Sequence, residues 1–136
     1  MNIYEKLLAL DENKLKRATK EIEIKRLTKK FGFPFKLKLT ELDPELFNEI
    51  SKSSIKFSNN GIKDIDTYKI QTRLVVEGTL EPSFKDAKLR EHFHAATPID
   101  LVNKLFNSSE ITEVAGEISG LCGYGSQADV DDEVKN

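Results

Sequence analysis

Tryptophan is absent from the 136 residues, and cysteine occurs once, at Cys122. A lone thiol excludes an internal disulfide framework, so burial of apolar surface has to hold the chain together. No apolar run approaches the roughly 20 residues that a membrane-spanning helix needs. The start, Met1–Leu10, mixes Glu5 and Lys6 with its apolar residues, unlike a secretory signal. A soluble, cytoplasmic protein without a membrane partner is the expectation. Histidine is also scarce, with only His92 and His94, which removes the usual residue from most general-base and metal-site arrangements.

What is present suits one modest core. Eight Phe and three Tyr supply the aromatics, and charged residues reach 32%, so the surface should be strongly solvated. Net charge is −2, but its distribution is uneven. Residues 14–38 hold ten Lys/Arg against two Glu, and residues 110–136 hold seven Asp/Glu against one Lys. Such asymmetry can steer a partner or attract nucleic acid. A solvated basic face and an acidic tail explain it more simply.

Periodicity predicts a leading helix over 3–10, from Ile3, Tyr4, Leu7, Leu8 and Leu10, and then either a turn-like segment over 12–20 capped by Asp11 or only a basic linker. From Glu21 the period becomes two. Ile22, Ile24 and Leu27 make one face of a strand, Lys29–Gly32 a turn, and Phe33, Phe35, Leu37 and Leu39 a second strand, together a basic β-hairpin. Asp43-Pro44 starts a helix to about Ser53. Asn59-Asn60-Gly61 marks a small hairpin or a mobile loop. Residues 66–78 fit a strand or a helix by periodicity. The Asp66-Thr67 cap and Gly78 favour a buried helix. Pro82 interrupts the chain, Asp86 to Phe93 is a short helix, Thr97-Pro98 opens another, and Ser108 or Ser109 caps a last one ending at Gly120. Beyond it, glycines and an acidic run predict a disordered or partner-folded tail.

The chemistry-bearing residues do not assemble into a site. His92 and His94 would lie about 200° apart on a helix and lack further ligands. Cys122 lacks an evident base and sits in a glycine-rich tail with no reason to be held rigid. Gly120–Ser126 lacks the Lys-Ser/Thr ending of a phosphate loop, and the acidic tail lacks calcium-loop spacing. No catalytic, cofactor or metal residue is assigned, and no enzyme is expected. The basic segment 14–38 with Phe31, Phe33 and Phe35 is the best nucleic-acid candidate. Strand alternation would send those rings into the core and leave only lysines outside.

The run from Leu74 to Phe106 carries a family resemblance. Leu74-Val75-Val76 with Gly78-Thr79, Glu81-Pro82-Ser83-Phe84-Lys85-Asp86-Ala87-Lys88-Leu89, Thr97–Leu105 and Glu110–Gly120 resemble the XkdN-like phage tail assembly chaperones of Gram-positive phages and defective prophages. Glu21–Leu27 resembles the first strand of many members, and Asp131–Asn136 their acidic terminus. His94 stands where members often show a glycine-like turn.

The resemblance implies a non-enzymatic chaperone that keeps the long helical tape measure protein soluble while tail tube subunits polymerise around it. It also implies absence from the finished virion and, in this type of gene, a longer form made by a programmed frameshift. The expected fold is α+β and helix-rich. A leading helix and basic linker occupy 1–20, a single domain 21–121, and a flexible acidic tail 122–136. Partner contacts are expected at Phe84, Leu89, Phe93, Leu101 and Leu105, with the tape measure protein and the tail tube protein as partners and self-association allowed for. The alternative is a small nucleic-acid-binding regulator using 14–38.

Overall fold

The computed structural model describes residues 2–53, 55–58 and 61–124. Among them the chain is α+β. Helix α1 (Ile3–Leu8) and a 3-10 turn (Glu12–Leu15) precede β1 (Thr19–Glu23), α2 (Lys25–Phe31), β2 (Lys36–Thr40) and α3 (Pro44–Ser53). The hairpin strands β3 (Ile55–Ser58) and β4 (Gly61–Ile65) follow, then α4 (Thr67–Gly78), β5 (Thr79–Glu81), α5 (Ala87–His92), α6 (Pro98–Leu105) and α7 (Ser108–Leu121).

The first two strands pair antiparallel, Ile22 facing Leu37, but a helix joins them where the sequence suggests a tight turn. The reason is spacing. Leu27 lies three residues after Ile24, which breaks the period of two, and both are buried, Ile24 as the extended residue that precedes α2 and Leu27 within the helix. Gly32 ends this helix in the left-handed region at φ 81°, where a glycine carries no Cβ penalty. β2 is the middle strand of the sheet β1-β2-β5. Its Leu37 and Leu39 enter the core while Lys36 and Lys38 face outward, the alternation of a sheet wet on one side.

Helix starts follow the side-chain chemistry closely. Asp66, Asp86 and Thr97 each accept a hydrogen bond from an early amide of α4, α5 and α6. For α7 the cap is Asn107, one residue before the expected serine, and Glu110 returns the bond to its amide. The helix ends at Leu121, one residue beyond Gly120. The hairpin reading of 55–66 holds for β3 and β4, while Asn59 and Asn60 lie outside the described residues. So do residues 125–136, including the acidic run.

The core is built on α4, which packs against α7, α6 and α3. Val75, Val102, Val114, Ile118, Ile50 and Phe84 are fully enclosed there. By contrast α1 buries no residue. At the end of α4, Gly78 allows close approach to α7. A Cβ there would lie 2.6 Å from Ile118 Cδ1 and 2.7 Å from its Cγ2.

An ion pair ties the N-terminal half to the C-terminal helices. Arg26 Nε and Nη2 donate to the two Glu110 carboxylate oxygens, both at 2.8 Å, and Nη2 also donates to the Leu105 carbonyl at 3.0 Å. These bonds hold the Glu110 carboxyl below the usual range, against the opposing effect of its burial.

Two measurements check these points. Gly78→Ala should destabilise by about 1–3 kcal/mol, because Ile118 is enclosed and cannot swing away. Urea unfolding would show a lower midpoint with an unchanged slope. Glu110→Gln should lower stability at neutral pH, with the deficit shrinking under acid. The lowered native pKa contributes stability that is fully present above the unfolded value of about 4.3 and is lost as pH falls through the native value. Equal stability differences at pH 7 and in strong acid would contradict that linkage.

Candidate functional site

Five phenylalanines form a ladder from the interior to the surface. Phe84, fully buried, meets Phe106 edge-on with centroids 5.7 Å apart. Phe106 meets Phe35 at 6.2 Å, Phe35 meets Phe31 at 5.8 Å, and Phe31 stacks on Phe33 at 5.9 Å. Exposure rises along it, to 38% at Phe31 and 55% at Phe33. The strand alternation expected of these residues would have hidden Phe31 and Phe33. The end of α2 and the left-handed Gly32 turn them outward.

The base of this outer fan, at Phe35, is fastened by hydrogen bonds. The Phe35 amide donates to Thr28 Oγ1 at 2.8 Å, its carbonyl accepts from the Ile24 amide at 3.0 Å, and Thr28 Oγ1 donates to Glu23 at 2.7 Å. Lys30, Phe31, Phe33, Pro34, Phe35 and Lys36 form one wall of a groove of about 720 Å³. Pro82, Leu89, Phe93 and Leu105 form the rest. A second hollow of about 370 Å³ shares Lys30, Phe31, Phe93 and Leu105 with it and continues past Arg26 and Lys104.

The far wall depends on a reversal after α5. His94 takes a left-handed φ of 55°, uncommon for a residue with a Cβ. Lys104 Nζ reaches across and donates to the carbonyls of Phe93 and His94 at 2.8 and 3.0 Å. Phe93 is thereby presented at 36% exposure, with His92 edge-on to its ring at 4.8 Å.

The five residues expected at a partner surface thus divide. Leu89, Phe93 and Leu105 line the groove. Phe84 and Leu101 are fully buried, and Phe84 supports the groove from within through Phe106. Sequence reading missed the opposite wall, although the three-residue step from Ile24 to Leu27 and the glycine after Phe31 were signals for it. His92 and His94 have separate settings, and among the described residues no group of three or more His, Cys, Asp or Glu could hold a metal ion.

Cys122 is not loose, contrary to the sequence expectation. It is half-buried against the core, and its Sγ accepts a hydrogen bond from the Leu42 amide at 3.3 Å. Tyr124 stacks on Phe47 with centroids 5.0 Å apart, so the body extends past residue 122.

Comparison with known proteins agrees with this architecture. The model of the family described as phage XkdN-like tail assembly chaperone protein matches residues 4–135. The chain is 25% identical over 118 residues to the phage-like element PBSX protein XkdN of Bacillus subtilis strain 168, covering 82% of this chain and 80% of that protein. It is 24% identical over 94 residues to the uncharacterized protein YqbN of the same strain, covering 64% and 63%. A crystal structure of YqbN superposes with a TM-score of 0.61 at 20% identity, over 80% of this chain and 87% of that one, a likeness of fold. With nearly its whole length matched by that family's model, the chain belongs to the XkdN-like phage tail assembly chaperones.

Proposed function

We propose that this protein binds the tape measure protein and keeps it soluble while the tail tube polymerises, acting in the host cytoplasm and leaving before the virion is complete. The observation that carries the reading is an open apolar groove on a member of a tail assembly chaperone family, whose role is non-catalytic. Covering the part of Phe33 and Phe93 that is still exposed, 55% and 36%, offers roughly 0.5–1.7 kcal/mol each. Contacts of that size suit binding that is repeated along a long client and reversed when tail tube protein arrives. Leu89, Phe93 and Leu105 are the contact residues among those named from sequence, joined by Phe31 and Phe33. Phe84 acts from beneath, through Phe106, and Leu101 belongs to the core. Among the described residues no helix is long and apolar enough to cross a membrane.

Co-expression with the cognate tape measure protein tests the proposal. The client's soluble fraction should rise several-fold with this chain, and Phe33→Asp should abolish the gain while the chaperone itself remains folded, because Phe33 is mostly exposed. A client equally insoluble with and without this chain sinks the proposal.

A further inference from the structure

The groove's chemistry narrows what it accepts, and this step rests on the chaperone reading. Its floor and walls are aromatic, aliphatic and proline side chains, while the charged residues lining it and its continuation are all basic: Arg26, Lys30, Lys36 and Lys104. Their charges are unequally spent. Arg26 is neutralised by Glu110. Lys36 has a loose, exposed contact with Glu21 at 3.7 Å. Lys104 serves two backbone carbonyls, which leaves its positive charge uncompensated. Lys30 has no carboxylate partner among the described residues. No Asp or Glu lines either hollow.

We propose that the groove takes a short amphipathic helix whose apolar face is flanked by carboxylates. The ground is complementarity of both charge and shape. A volume of about 720 Å³ falls within the roughly 300–1,000 Å³ of sites that enclose a compact ligand, so it holds a few side chains rather than a whole helix. Bulky residues one turn apart, at i, i+3 or i+4 and i+7, reach such a trough from a single helix face. Strand addition is disfavoured, because side chains make the walls and Pro34, in the middle of the near wall, offers no amide hydrogen. Single-stranded nucleic acid would also meet lysines and exposed rings. On the far wall only Phe93 could stack on a base, and its neighbours Leu89, Leu105 and Pro82 are aliphatic, which favours a peptide's apolar side chains over a run of bases.

A labelled helical peptide of roughly 18 residues, long enough to hold some helix, tests this by fluorescence anisotropy. It carries Leu on one face and Glu on the flanks. A second peptide has Lys for every Glu, and an oligo-dT strand is the third probe. The Glu peptide should bind the full chain about tenfold more tightly than the Lys peptide, and less tightly as salt rises. NMR shifts should fall on Phe31–Lys36 and Leu89–Phe93. Lys30→Glu with Lys36→Glu should reverse the preference between peptides. Phe33→Asp should weaken binding at least about tenfold while the chain still unfolds in one cooperative transition.

Equal binding of the two peptides, shifts confined to other surfaces, or binding of oligo-dT without the Glu peptide would each overturn the inference. The titration contains no tail protein, so its failure is distinct from that of the co-expression experiment. Charge-blind peptide binding beside successful co-expression removes this inference alone. Charge-selective binding beside failed co-expression removes the chaperone reading and leaves the groove's chemistry standing.

Discussion

Glu110 is the joint on which the arrangement turns. One carboxylate completes the capping box at the start of α7 and receives both arms of Arg26 from α2, while the same guanidinium closes the last carbonyl of α6. Three elements are fixed by one pair of side chains. A carboxylate this enclosed would be costly alone; here it receives three hydrogen bonds, from Arg26 and the Asn107 amide. The pair also lies beside the groove, since α2 ends in Lys30 and Phe31 of one wall and α6 ends in Leu105 of the other.

The aromatic ladder gives the groove its character. A ring at the surface is usually held weakly, but Phe33 rests on Phe31, and each ring below it is better buried than the one above. The exposed end is therefore a continuation of the core rather than an accident of the surface. Lysines close the edges and keep the apolar strip narrow. The same composition that reads as a nucleic-acid footprint in one dimension becomes, in three, an apolar trough with a charged rim.

Much of this fold is legible in the chain. The caps at Asp66, Asp86 and Thr97 and the prolines at 44 and 98 mark helix starts because each satisfies or spares an amide locally. The α4 segment is harder, since Ile70, Thr72, Leu74 and Val76 alternate like a strand. Its cap and length decide in favour of helix, as observed. What sequence does not expose is the direction of Phe31 and Phe33. That depends on a seven-residue helix between two paired strands, and short basic helices have weak signatures when tertiary packing sets them. The hold on Cys122 is similar, since it depends on the Leu42 amide, 80 residues away. Of the five contact residues named from sequence, three reach the groove, because apolar periodicity identifies buried faces and does not say which edge of a face stays open.

The groove's walls come from distant parts of the chain, 30–36 and 82–105. Neither segment makes the surface alone, so it exists only once the two have docked through the shared core, the β2–β5 pairing and the Arg26–Glu110 pair. Recognition and folding are thereby linked. A ligand of the trough would bind the native chain and not the unfolded one, and so would stabilise it by RT ln(1 + [L]/Kd). On the proposed chaperone reading, a newly made copy would engage a client only after folding, and an occupied copy would resist unfolding more than an empty one.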